Sequence, residues 1–522
     1  MKVEAGRVWT TRWKRGGLRL EAGDLVAGVT VALVLLPQSL AYAQLAGMPA
    51  YRGLYAAVLP PIVAALFASS PYLQTGPVAI TSILAFGALS ALAPPGSDEY
   101  VELGLLLALV VGVARLVLGL LRGGVLAYLM SYPVLVGFTS AAAVLIVSSQ
   151  LPTALGVEPP VGGILHSGAW ALAHPGAWEL SAILLAAGVL ALVLLGGRLG
   201  PRFPAVLLAI VGATLLAAAA DYGGSTVGPI PASFPPLTLS FPWDSLGSLL
   251  LPGLVIAVVG FAEPASIART FAALERKHWD SSREFVSQGA ANVAAAVTGG
   301  FPVGGSFSRS ALNRRAGART RWSGAVTGFV VLAFLPFAGA LSSLPRAALA
   351  GIVIAAVLGL IRIGSLLELW RHAKPQVGVG WITFAATLAF APHVERGVIV
   401  GVATATAVHL WRELLFDFDP WTEGETLHVR LRGVLWFGTV GRLEERFVRV
   451  LAAHPEARSL AVHMGGLGRI DLTGALALRG LLEDAEQAGL AVEVQEVPPR
   501  AQGLMTRVLG SRFGITPPRS DR

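Results

Sequence analysis

The chain has 522 residues, 54% of them hydrophobic and only 13% charged, against roughly 25% charged in a soluble domain. That balance excludes an ordinary soluble globular protein, and the absence of cysteine excludes disulfides and thiolate metal sites. The net charge of +8 follows membrane topology in its placement, so no nucleic-acid partner is expected.

The apolar residues come in long runs rather than amphipathic stripes: Val101–Leu121, Leu180–Leu195 and Ala325–Leu341. Runs of this length read as membrane spans, because about 20 helical residues cross the hydrocarbon core. Residues 1–19 carry Lys2, Arg7, Arg12, Lys14, Arg15 and Arg19 and no apolar core, and they read as a cytoplasmic tail rather than a signal peptide. A polytopic α-helical transport domain is expected over 20–414. Its about fourteen spans begin near 24, 51, 77, 101, 127, 179, 204, 247, 284, 308, 322, 346, 376 and 395. Counted this way, inside segments up to 375 hold twenty Lys and Arg; outside loops hold three, Arg52, Arg346 and Arg396. The asymmetry fits the positive-inside rule and places both termini in the cytoplasm. The outer segments 151–178 and 221–246, rich in Pro, Gly and Trp, read as stretches lying along the interface.

A short phrase occurs twice. Pro37-Gln38-Ser39-Leu40-Ala41 recurs as Pro264-Ala265-Ser266-Ile267-Ala268, an offset of 264 − 37 = 227 residues. A helix-breaking patch follows each copy, Gln74-Thr75-Gly76-Pro77 and then Pro302-Val303-Gly304-Gly305-Ser306. Paired interruptions in two halves of a membrane chain point to a binding site, with repeat one over about 20–221 and repeat two over about 245–414. Gln74–Gly76 reads as extended, with a half-helix from Pro77 through Val78 and Ala79. Gly304–Phe307 reads as extended, with a second half-helix from near Ser308. Two helix N-termini facing each other at mid-membrane form an anion site. Arg309, in the first turn of the second half-helix, adds a full charge; an arginine there marks a pathway, a structural pair, or a side chain snorkelling to the surface.

Gln38 offers a donor and an acceptor to a polar ligand. Glu263 stands alone in its span and can neutralise Arg309, take a proton or hold a cation. Tyr42 and Phe307 either wall the pocket or pack in the core. Glu102 and Arg115, in the fourth span, are too far apart for a direct pair and receive no role. The nine histidines are scattered without metal spacing, and no metal or cofactor is expected.

Residues 415–425, with Asp417, Asp419, Pro420 and Glu423, read as a linker. From 426 to 518 strands and helices alternate: strand 427–435, helix 443–453, strand 460–464, helix 472–488, strand 490–497 and helix 501–509. Asp471 is the expected N-cap of the second helix.

The motifs Gly23–Thr30, Leu36–Ala43, Gly53-Leu54-Tyr55, Thr75–Ala79 and Gly304–Ser310 resemble the SulP anion permeases, bacterial relatives of the solute carrier family that includes prestin and pendrin. The resemblance covers about residues 10–515. The tail resembles a STAS domain, although Leu472 stands where that domain's Asp-Ser-Ser/Thr-Gly turn has a hydroxyl, which disfavours regulation by phosphorylation there. The resemblance implies a seven-plus-seven inverted repeat with half-helices third and tenth, divided into a core and a gate. It also implies elevator-like movement, a homodimer in lipid, and location in a bacterial inner membrane. The implied anion pocket is Gln38, Tyr42, Val78, Ala79, Phe307, Ser308 and Arg309, with Glu263 at the coupling position.

The expected function is secondary transport of a small inorganic or organic anion (sulfate, bicarbonate or a dicarboxylate) coupled to H⁺ or Na⁺. A nucleobase–cation symporter of the same fold is the rival, opposed by Arg309 and the tail; an anion channel is a second. A membrane-embedded enzyme is disfavoured, since clustered nucleophiles, metal ligands or paired acids are missing from the sequence.

Overall fold

The computed structural model describes residues 20–128, 131–160, 162–198, 205–372, 374–510 and 514–515. The expected tail 1–19 and the last residues of the expected C-terminal domain, 516–518, lie outside the described residues. Packing divides the chain into two units, Met1–Thr404 and Ala405–Arg522, upstream of the division expected at 414.

The first unit is helical apart from two very short strands. In chain order it contains α1 (Ala22–Leu45), α2 (Tyr51–Ala56), α3 (Leu59–Phe67), β1 (Thr75–Gly76), α4 (Ala79–Leu89), α5 (Asp98–Leu120) and α6 (Tyr132–Leu155). Then come α7 (Ile164–Ala173), α8 (Leu180–Gly196), α9 (Ala205–Ala219), α10 (Leu246–Leu274), α11 (Ser281–Val297), β2 (Gly304–Gly305) and α12 (Phe307–Arg315). The last are α13 (Trp322–Phe334), α14 (Arg346–Leu358), α15 (Ile363–His372), α16 (Lys374–Ala389) and α17 (Val394–Glu413), which runs across the division between the units.

Among the described residues, six stretches are long and apolar enough to cross a membrane: Ala22–Leu45, Asp98–Leu120, Tyr132–Leu155, Trp243–Leu274, Trp322–Leu341 and Arg346–Arg371. Burial is inverted relative to a soluble protein. Leu184, Leu215, Leu216 and Leu251 are more than 60% exposed, whereas Ser140, Ser287, Asn292 and Thr327 are at 0%. Such a surface is stable against lipid, and the polar groups inside find partners in the protein. Where α5 meets α11, a Cβ on Gly112 would stand 2.7 Å from the Val293 backbone nitrogen, and one on Gly289 2.7 Å from that of Leu116. Only the missing side chains allow this approach of backbones, the usual device for packing helices without a hydrophobic driving force.

Three expectations need correction. Pro77 is not the first residue of its half-helix: Val78 is still extended (φ −142°, ψ 150°) and acts as N-cap, and α4 begins at Ala79. The extended run is prolonged because β1 just before it pairs with β2. Phe307, expected in the second extended patch, is already the first residue of α12, after Ser306 as N-cap. The linker 415–425 contains β3 (Asp417–Glu423), paired antiparallel to the next strand from Asp417↔Arg432 to Glu423↔Thr426. Its Pro420 is tolerated because β3 is the edge of the sheet.

The second unit is a sheet in the order β3-β4-β5-β6-β7, with β4 (Thr426–Leu435), β5 (Ser459–Ile470), β6 (Ala491–Gln495) and β7 (Gly514–Ile515). β4 to β7 pair in parallel. Parallel neighbours require crossovers, supplied by α18 (Val440–Ala453), α19 (Leu472–Gln487) and α20 (Pro499–Leu509). Asp471 Oδ1 accepts from the Gly474 N–H at 2.7 Å, capping α19. The edge strand is pinned by Trp421, whose ring stacks 5.0 Å from both His428 and His463. The two histidines share a hydrogen bond of 3.0 Å, and burial holds the His463 ring below the usual imidazole range.

Candidate functional site

The breaks in the two halves meet. β1 and β2 cross antiparallel with Thr75 opposite Gly305 and Gly76 opposite Gly304. The contact is extended by Ser306 N donating to Gln74 O (3.0 Å) and Gln74 N donating to Ser310 Oγ (2.9 Å). Because the strands are antiparallel, α4 and α12 leave the crossing in opposite directions. They are short, at 11 and 9 residues.

Buried polar side chains hold this non-helical backbone. Arg115, at 0% exposure, donates from Nε to Ala257 O (3.0 Å), from Nη2 to Ile256 O (3.2 Å) and from Nη1 to Val303 O (3.0 Å). One guanidinium thus ties α5 to α10 and to the segment entering β2. Asn292 on α11 acts as a substitute strand: Oδ1 accepts from Val303 N (2.9 Å) and Nδ2 donates to Val303 O (3.0 Å). Gln288 Nε2 donates to Thr75 Oγ1 at 2.8 Å. These groups satisfy main-chain atoms that lipid could not. Sequence reasoning gave Arg115 no role and passed over Gln288 and Asn292. The available signal was an arginine deep within an apolar span, which must find internal acceptors.

The two half-helix ends differ. Val78 makes no side-chain capping bond at the start of α4, and the Thr81 and Ser82 hydroxyls donate back to Val78 O. At the start of α12, Ser306 Oγ accepts from Arg309 N (3.5 Å) and Glu263 Oε1 accepts from Phe307 N (3.3 Å). Glu263 therefore binds the N-terminus of α12. Among the described residues, no ion pair joins it to Arg309.

Arg309 lies between the ends, 1% exposed. Its Nη1 donates to Gln38 Oε1 at 3.3 Å, joining residues that are 271 apart in sequence. Among the described residues, its Nε and Nη2 have no hydrogen-bond partner. Nη2 stands 3.6 Å from where a Cβ on Gly76 would lie, an ordinary contact distance that puts the guanidinium beside β1. Tyr42, one turn after Gln38 on α1, is buried, as are Val78 and Ala79. Phe307 and Ser308 are exposed; the Phe307 ring stacks on Phe271 at 6.5 Å and Ser308 Oγ is 3.2 Å from Ser306 Oγ. The site is thus a buried floor of Gln38, Tyr42, Val78, Ala79 and Arg309 with an accessible rim of Phe307 and Ser308. It is rich in donors and holds one carboxylate, that of Glu263, already engaged.

Two half-helices diverging from a buried crossing, within a unit whose outer surface is apolar, define a membrane-embedded transporter fold. The chain matches the sulfate permease family over residues 22–383 and belongs to that family, a family of permeases rather than enzymes. It is 35% identical over 412 residues to a probable sulfate transporter of Mycobacterium tuberculosis, covering 77% of this chain and 71% of the relative. It is 38% identical over 401 residues to the chloroplastic sulfate transporter 4.1 of Arabidopsis thaliana, covering 74% of this chain and 57% of the relative. Its fold is similar to that of murine Slc26a9, an anion transporter solved in the inward-facing state, with TM-score 0.87 at 20% identity over 96% of this chain and 91% of that one. It is also similar to the transmembrane domain of the cyanobacterial bicarbonate transporter BicA, with TM-score 0.63 at 26% identity over 73% of this chain and 96% of that one.

Proposed function

We propose that this chain is a secondary active transporter of a small oxyanion, sulfate first among sulfate, bicarbonate and dicarboxylates. The observation that carries the reading is the buried Arg309 guanidinium, with two nitrogens lacking a protein acceptor, beside the uncapped start of α4. Buried unsatisfied donors cost about 1–3 kcal/mol each, more when charged, and an anion relieves that cost. Family membership and relatives named as sulfate transporters favour sulfate.

The engaged carboxylate suggests how coupling works. Glu263 occupies the N-terminus of α12; a proton or Na⁺ that neutralises it frees the Phe307 N–H for the anion. Anion and cation then bind together, as symport requires. Movement is by an elevator-like displacement of a core carrying both half-helices against a gate. The fourteen-span, two-repeat arrangement, cytoplasmic termini, bacterial inner-membrane location, homodimer and STAS-like role of the C-terminal sheet belong to the same proposal.

The test is uptake of radiolabelled sulfate, bicarbonate and fumarate by proteoliposomes holding the full chain, under imposed pH or Na⁺ gradients. Gradient-driven accumulation of one anion is expected. Uptake that merely equilibrates the anion, with no response to either gradient, would replace the symporter with a channel.

A further inference from the structure

A second cavity lies away from the Arg309 site. It has a volume of about 550 Å³ and is bordered by the C-terminal end of α1, the middle of α4, the C-terminal end of α6 and the first residue of α14. Asp24, near the other end of α1, is bound by the backbone and hydroxyl of Thr320. At 1.5 Å per residue α1 is about 36 Å long, so the cavity and the Asp24–Thr320 cluster are at opposite membrane faces. The cavity is walled by the same two elements that carry the central site. Gln44 follows Gln38 by six residues, about 9 Å along α1, and Phe86 is on α4 beyond Val78.

The polar side chains that line it are neutral or positive. Gln44 and Gln150 bring amides, Ser149 and Thr153 hydroxyls, and Arg346 a guanidinium. Among the described lining residues Arg346 is the only charged one, and no carboxylate is present. Arg346 is held in place: its backbone N donates to Ser225 O at 2.9 Å and its Nε to Thr226 O at 2.9 Å. Those bonds fix the side chain while using one of its three nitrogens. A fixed positive charge in a concave, acid-free basin with neutral donors raises the local concentration of small anions. The volume admits an oxyanion with its hydration shell rather than a stripped ion.

We propose that this cavity is a second, weaker anion site, an outer basin in which Arg346 collects a hydrated oxyanion ahead of the Arg309 site. The inference rests on the transport reading for its choice of probe, for the outward side of the cavity and for the order of the two sites.

The test is sulfate-dependent thermal stabilisation of the detergent-purified full chain, read at low and at high inert salt, since a ligand that binds the native state raises its melting point with concentration. Wild type is expected to show two phases. R309A keeps the weaker, salt-sensitive phase and R346Q keeps only the tighter one. R346K restores the weak phase, because it returns the charge without the Nε bond. For cells taking up sulfate, R346Q raises KM about fivefold, the effect of one charge at about 4 Å in water, with little change in maximal rate. Loss of both phases in R309A, or an unchanged weak phase in R346Q, overturns the outer site and spares the central one. Failure of R346K to rescue makes Arg346 a structural clip and overturns it too. An unchanged tight phase in R309A overturns the central site instead.

Discussion

The two half-helices start from the same crossing, yet their first turns are in opposite electrostatic states. α12 begins under a carboxylate and a serine hydroxyl, both accepting from its N–H groups. α4 begins under Val78, which caps nothing, and faces a guanidinium with two nitrogens to spare. A helix N-terminus carries roughly half a positive charge. At α12 that charge is answered from within the protein; at α4 it is not. The difference teaches that two similar helix starts are set apart by their side chains, and in the proposed function one becomes a receptor and the other a lock.

The contrast can be broken most severely at its centre. Arg309→Ala removes the charge on which both ends converge, and anion uptake should fall by more than about tenfold, the loss of one charge-assisted hydrogen bond worth about 1.5–3 kcal/mol. Uptake at the wild-type rate by a folded R309A protein would end the pocket assignment. Val78→Asp makes the two ends alike by placing a carboxylate on the open one. It should stabilise α4 by about 1 kcal/mol as a cap while blocking anion binding, so a raised melting temperature with lost uptake is the expected pair. Glu263→Gln keeps an oxygen for Phe307 N but removes the titratable charge. Transport should persist and stop responding to the cation gradient; a fully gradient-driven E263Q protein would leave Glu263 as a cap only. Ser306→Ala sharpens the contrast more gently, costing α12 about 0.5–2 kcal/mol with Glu263 still in place, visible in thermal unfolding and little in uptake.

The smallest effect is expected in the second unit. Burial lowers the His463 pKa in the folded sheet, so its neutral form fits and its charged form does not. Stability is therefore fully present above the ordinary histidine pKa of about 6.5. It falls as pH drops from there through the folded value, by at most about 1.4 kcal/mol per pH unit. Hydrogen exchange of β3 in the full chain should quicken over that window after correction for intrinsic rates, and His463→Gln should flatten the response.

Much of this was legible in the residues, and the limits have physical causes. A glycine–proline patch in an apolar run states that the helix stops, so both breaks could be located and Gln38, Glu263 and Arg309 placed around them. The composition of Gln74–Pro77 did not reveal that it pairs with Gly304–Gly305, and that pairing is what carries Val78 past the start expected at Pro77. Arg115 and Asn292 were opaque for a related reason: their partners are carbonyl and amide groups of Ile256, Ala257 and Val303, and main-chain atoms leave no mark in a sequence. β3 was hidden because Asp417, Asp419, Pro420 and Glu423 are poor strand formers. Its extended form comes from the neighbouring strand and from Trp421 stacked on two histidines.

The crossing of β1 and β2 has a consequence for the direction of flux. Antiparallel pairing in the register Thr75↔Gly305 and Gly76↔Gly304 places a local two-fold axis between the strands. Rotation about that axis exchanges Thr75-Gly76 with Gly304-Gly305, so the crossing by itself favours neither direction through it. In the proposed transporter, flux then follows the combined gradients of the ligands, and the side chains that break the symmetry, Gln38 on one side and Glu263 on the other, are the ones proposed to set which ligands those are.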